Sequence, residues 1–154
     1  MKSTMFERVL VVLEEGVSGE RGVTWVRELT RGAGHVVHLL VVQPRATSIS
    51  VAGRAVAFTD QLEDGARASG LAYLERVAAR LCEDGLTVTT QVRIGSPANT
   101  IRAAAQNIAA DLVVVSCPAA RGRRRLFDTS LASRILGILP VPVLMVGPAC
   151  RRSA

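Results

Sequence analysis

Five short runs of apolar residues, separated by stretches with helical spacing, constrain this chain more than any other feature. Val9 to Leu13 is continuous and β-branched, and it reads as a strand covered on both faces. His35 to Val42 (HVVHLLVV) is a second buried strand, ended by Gln43-Pro44. Leu86 to Ile94 (LTVTTQVRI) alternates and is rich in threonine, which predicts a strand with one wetter face at a sheet edge. Leu112 to Ser116 and Pro142 to Val146 are the fourth and fifth.

The intervening stretches carry the helices. One starts near Ser18 and turns Val23, Val26 and Leu29 or Thr30 inward. A longer one runs from Thr59 or Asp60 to about Asp84, with Leu71, Leu74, Ala78 and Leu81 at the helical period. Ser96 and Pro97 open a third, whose inner stripe is Ile101, Ala104 or Ala105, and Ile108. Thr129 or Ser130 caps the last, with Leu131, Ile135 and Ile138 inside, and Pro140 ends it. Arg45 to Phe58 is a connection of unusual length, with Thr47 to Val51 or Ala55 to Phe58 available to pack on the domain or to cover a partner. Strands alternating with helices predict a parallel sheet reached by right-handed crossovers, with helices on both faces. Residues 1–150 read as one domain and Arg151 to Ala154 as a polar tail.

Several function classes are excluded or left without support. No apolar run approaches the roughly 18 residues of a membrane span. The run Val9 to Leu13 is shorter than a signal-peptide core of about 7–15 residues, so a cytoplasmic protein is expected. Cys82, Cys117 and Cys150 are far apart and form no CxxC or Cys/His cluster, so neither a metal site nor a disulfide framework is indicated. No Ser/His/Asp arrangement or paired carboxylates stand out, which leaves an enzyme little to work with. His35 and His38 read as structural histidines. One lysine against 18 arginines points to a GC-rich bacterial genome.

Charge singles out one segment. Residues 1–111 balance at 12 basic and 12 acidic side chains, whereas residues 112–154 hold seven arginines and Asp128 alone, so the whole excess of +6 lies there. Arg121, Arg123, Arg124 and Arg125 stand in one loop. The loop reads first as a solvated surface. The alternatives are a phosphate site at a helix N-terminus and docking to an acidic partner or nucleic acid. Nucleic acid is disfavoured because no aromatic residues interleave the arginines and no recognition motif is present. Glu14 and Glu15 end the first strand, where the crevice of an open sheet lies. Cys117 sits at the same level and reads first as a packing residue; the alternative is a redox role, with a helix N-terminus and arginines lowering the thiol pKa.

The segments VLVVLEEG, VRIGSPANTIRAAAQNIAADLVVVS and LASRILGILPVPVLMV, in that order and spacing, resemble the universal stress protein family over Val9 to Val146. The resemblance implies an open, adenine-nucleotide-hydrolase-like α/β sandwich whose five parallel strands lie in the order 3-2-1-4-5. It also implies a homodimer through the last strand, Val143 to Val146. ATP-binding members carry G-x-x-G, nine residues, then G-Ser or G-Thr. Here those positions fall on Ser116, Ala119, Thr129 and Ser130, so the glycines are absent and only the hydroxyl survives. Glycines at such positions turn backbone N–H groups toward phosphate, and Pro118 has no N–H to offer. The family's first-strand aspartate is Glu14 here, and its adenine-side valine is Val41.

The resulting candidate set is a degenerate nucleotide or anion site of Glu14, Val41, Ser116, Arg121, Gly122, Arg123 and Ser130. No catalytic residue, metal or cofactor is assigned, with ATP as the alternative ligand. The expectation is a cytosolic homodimer that acts in a stress response by binding rather than catalysis, with an anionic small molecule as a further partner. The alternative is a nucleotide switch in which the arginine-rich loop holds ATP in place of the glycine loop. A small hydrolase of another α/β family lacks a nucleophile and a base.

Overall fold

A computed structural model describes residues 5–15, 20–32, 34–47, 49–52, 54–117, 129–147 and 149–150; for residues 49–51, 54–57, 129 and 130 it describes the backbone alone. The elements run β1 (Arg8–Leu13), α1 (Arg21–Leu29), β2 (Val36–Gln43), β3 (Ile49–Val51), β4 (Arg54–Ala57), α2 (Thr59–Glu83), β5 (Thr87–Ile94), α3 (Pro97–Asn107), β6 (Leu112–Ser116), α4 (Thr129–Ile138) and β7 (Val143–Val146).

Five strands form one sheet in the order β5-β2-β1-β6-β7. Every pairing in it is parallel. Counted along the chain, this is the order 3-2-1-4-5. The threonine-rich strand β5 takes one edge, as its composition led us to expect, and β7 takes the other, as the resemblance implied.

The period of two along each strand divides the core. Val9, Val11, Leu13, Val37, Leu39 and Val41 face Val23 and Val26 of α1 and Tyr73, Leu74, Val77 and Leu81 of α2. Leu10, Val12, Leu40, Val42, Val113 and Val115 face Ala98, Ile101, Ala104 and Ala105 of α3 and Leu131 and Ile135 of α4. Alanines on α3 let that helix lie close to the bulky strands.

Two local expectations change and a third, left between Leu29 and Thr30, is decided. Leu71 is 41% exposed, and Tyr73 and Val77 take the inner positions with Leu74 and Leu81. Gly70, one turn before, sits over Val92, where an added Cβ would lie 3.1 Å from the valine side chain. That close approach fixes which face of α2 turns inward. On α1, Thr30 rather than Leu29 is buried, and its hydroxyl donates to the Val26 carbonyl at 2.7 Å. Ser18 lies outside the described residues, and Glu20 occupies the position before α1. Within Arg45 to Phe58 the chain folds back as the antiparallel pair β3–β4, a hairpin outside the main sheet.

Side chains also tie elements that pack at right distance but would otherwise slide. Asp111 accepts hydrogen bonds from the backbone N–H groups of Glu7 (2.8 Å) and Arg8 (3.1 Å), which aligns the start of β6 with the start of β1. His35 donates from Nδ1 to the Phe6 carbonyl at 2.6 Å. His38 pairs through Nδ1 with the Thr89 hydroxyl at 2.5 Å, joining β2 to β5. Arg80–Glu20 and Arg27–Asp84 ion pairs link α2 to α1.

Tyr73, the chain's one tyrosine, has a buried hydroxyl with no hydrogen-bond partner among the described residues. Burial first, and the negative charge of Glu20 second, push its phenol up to about 12 from 10.0. The neutral form is favoured in the fold. Its stabilising effect is complete below pH about 10 and is lost as pH rises through about 12. Phenolate absorbance should therefore titrate near 12 in the folded protein and near 10 in denaturant. A native midpoint at 10 would show the ring open to solvent.

Candidate functional site

The carboxyl ends of β1 and β6 are neighbours, so the residues that follow them meet. The end of β6 is closed by its own side chain. Ser116 is fully buried, and its Oγ accepts the Gly22 N–H of the first turn of α1 at 3.3 Å. A Cβ on Gly22 would stand 3.1 Å from Ser116 Cβ. Glycine at 22 and serine at 116 are thus fitted to each other, and α1 begins against the tip of β6. The amide at the start of α1, a donor that a bound anion would use elsewhere, is taken up inside the protein.

Glu14 follows β1 directly and is half-buried. Its charge reaches Cys117: burial first and Glu14 second hold that thiol above its ordinary range. That direction fits a packing cysteine and is opposite to the lowered pKa of the redox alternative, because the side chain is partly desolvated and Glu14 is negative. A raised pKa keeps the sulfur protonated and a poor nucleophile near neutrality.

Val41 is 2% exposed and packs on the α1/α2 side of the sheet, paired in register with Leu13 and Val92. The backbone of Ser130 lies in the first turn of α4, which opens at Thr129. Arg121, Gly122 and Arg123 lie outside the described residues, as do Pro118, Ala119, Arg124 and Arg125. Of the seven candidates, Glu14 and Ser116 are the pair placed at adjoining strand ends with side chains described. Among the described residues no group of His, Cys, Asp and Glu could hold a metal ion, and no helix is long and apolar enough to cross a membrane.

Glu15 links three elements at this end of the sheet. Its carboxylate accepts hydrogen bonds from the Gln43 side-chain amide at the end of β2 and from the Ser69 hydroxyl on α2 at 2.8 Å. It thereby spans β1, β2 and α2 across the mouth of the sheet. Nothing in the local sequence distinguishes Glu15 from Glu14, since both follow the same run. Gly22 was equally silent, because the space it leaves is filled by a residue 94 positions away.

Two depressions stand out among the described residues, and neither is the crevice beside Ser116. One, of about 360 Å³, lies where α1 and α2 end, against Arg27, Thr30, Asp84 and Leu86. The other, of about 460 Å³, lies along β5 and α2.

The model of the universal stress protein family matches residues 5–147. The fold is similar to a universal stress family protein from Burkholderia pseudomallei, with 23% identity over 94% of this chain and 98% of that one and a TM-score of 0.72. It is also similar to a universal stress family protein from Arabidopsis thaliana with AMP bound, at 18% identity, 91% and 90% coverage and a TM-score of 0.61. A universal stress protein in complex with cAMP aligns at 14% identity, 94% and 98% coverage and a TM-score of 0.61. No protein of curated function matches the sequence.

Replacing Ser116 by alanine should leave the Gly22 N–H without its acceptor and cost about 1–2 kcal/mol in denaturant unfolding. A serine with no structural role would leave the midpoint where it was.

Proposed function

The chain belongs to the universal stress protein family, and from that premise we propose that it acts in a stress response by binding and regulation rather than by catalysis, with a degenerate nucleotide site. The observation that carries this reading is the buried Ser116 hydroxyl engaged by Gly22. It stands at the first glycine position of the ATP loop in members that bind ATP. A side chain turned inward there fills space that a glycine would leave to a phosphate, and it consumes a donor from the neighbouring helix start. The raised thiol pKa of Cys117 argues the same way, against covalent chemistry at this end of the sheet.

A second reading keeps the nucleotide. Structures of this fold occur with AMP and with cAMP bound. Neither ligand needs a triphosphate cradle. Arg121 to Arg125, Glu14, Val41 and Ser130 would then hold a nucleotide through side-chain charge in place of backbone amides.

Thermal denaturation decides between the two. We expect no shift in melting temperature with ATP and Mg²⁺ at millimolar concentration. A saturable upward shift, diminished by combined Arg123→Ala and Arg124→Ala, would establish the second reading instead.

The protein is further proposed to be a cytosolic homodimer joined along β7. That strand is paired on one side, with β6. Val143, Leu144 and Met145 remain partly exposed on it, and Leu136 of α4 is 58% exposed nearby in sequence. An apolar edge of this kind is a template for another strand unless it is covered. Light scattering at micromolar concentration should give twice the chain mass of 16.3 kDa, and a single-chain mass would refute the dimer.

A further inference from the structure

Two arginines between α1 and α2 are matched with carboxylates: Arg80 with Glu20, Arg27 with Asp84. At the outer corner of the sheet three are not. Arg45, two residues past the end of β2, Arg67 on α2 and Arg93 on β5 line one open groove of about 460 Å³. Arg45 and Arg67 are exposed and Arg93 is partly buried. No ion pair among the described residues engages any of the three. Glu63 is the one carboxylate on the described lining, and it already accepts the Ala46 N–H at 3.4 Å.

Three guanidinium groups facing one depression repel each other unless an anion joins them. With Glu63 counted, the groove keeps a surplus of two positive charges, the charge of a phosphate dianion. Guanidinium forks match the geometry of phosphate oxygens, and Gln91 adds an amide that can donate alongside them. Val92 and Ile94 are the apolar residues on the described lining, and no aromatic ring accompanies them, so nothing there would stack a nucleobase. The groove also lies apart from Ser116. From β6 to β5 is three strand spacings, about 14 Å. A charged edge strand alone would explain Arg93, since charge on an edge deters wrong pairing. It does not explain why Arg45 and Arg67, from two other segments, line the same groove.

We propose that this groove is an anion site for a compact phosphate, either the free ion or the phosphoryl group of a small molecule, held by Arg45, Arg67 and Arg93. It is independent of the nucleotide question at the Ser116 end. Calorimetric titration of the full chain with inorganic pyrophosphate at low ionic strength should show saturable binding. Arg67→Gln, on an exposed helical face, and Arg93→Gln should each weaken it about tenfold or more, the loss of one charged hydrogen-bonded contact. Arg102→Gln, exposed on α3, should bind as the parent does. Parallel titrations with inorganic phosphate and a hexose phosphate identify the source by whichever binds more tightly. The proposal is overturned if sodium chloride at equal ionic strength abolishes the difference between parent and variants, or if Arg67→Gln and Arg102→Gln bind alike. It is also overturned if Arg123→Ala with Arg124→Ala removes pyrophosphate binding while Arg67→Gln retains it. An ATP response without pyrophosphate binding at the groove would sink this site and leave the nucleotide reading standing.

Discussion

The burial of β1 on all sides is the constraint from which the rest of the structure follows. Val9, Val11 and Val12 are fully buried, and Leu10 and Leu13 nearly so. A strand in that position has no water to satisfy its backbone, so both its edges must be paired and both its faces covered. β2 and β6 supply the edges, α1 and α2 one face, α3 and α4 the other. The polar groups that remain at its ends are then handled locally. Asp111 receives the N–H groups at the amino end, and Glu15 bridges to β2 and α2 at the carboxyl end.

That arrangement explains why chemistry in such a fold is confined to the strand ends. The interior is aliphatic, with Thr30, His35 and Ser116 as the buried polar residues among those described. Each of the three is answered: Thr30 by Val26, His35 by Phe6, Ser116 by Gly22. The interior therefore has no spare polar group with which to meet a ligand, apart from the Tyr73 hydroxyl. Any ligand must use the mouth of the sheet or its flanks. At the mouth of the sheet the Ser116 side chain is turned inward and held by Gly22. The flank along β5 carries arginines without carboxylate partners among the described residues. The two separate regions thus differ in what they offer an anion, and they differ through single side chains rather than through the fold.

The features readable in the sequence were those set by short-range pattern. Leu112 to Ser116 was bounded to the residue, and Pro97 opened α3 where its missing N–H costs nothing. Helix faces were harder. Leu71, Leu74, Ala78 and Leu81 are evenly spaced and hydrophobic, yet Leu71 points outward because Gly70 lets α2 approach β5 on the adjoining side. The β3–β4 hairpin was not read from Arg45 to Phe58, because no alternating run marks it. The contacts of the site were harder still. Ser116 with Gly22, and Glu15 with Ser69, join residues 94 and 54 positions apart.

By itself the sequence determined the class of fold and the number of sheet strands, while the strand order was what the resemblance to the family implied. Hydrophobic periodicity and backbone chemistry act over a few residues and leave their mark on the chain directly. Only the tertiary structure decided that Ser116 is committed to α1, that Glu15 bridges to β2 and α2, that burial and Glu14 raise the Cys117 thiol, and that three arginines from separate segments share one groove. Those outcomes depend on which distant side chains arrive within a few ångströms of one another. Electrostatics and hydrogen bonding respond to that distance in space, and the order of residues along the chain does not record it.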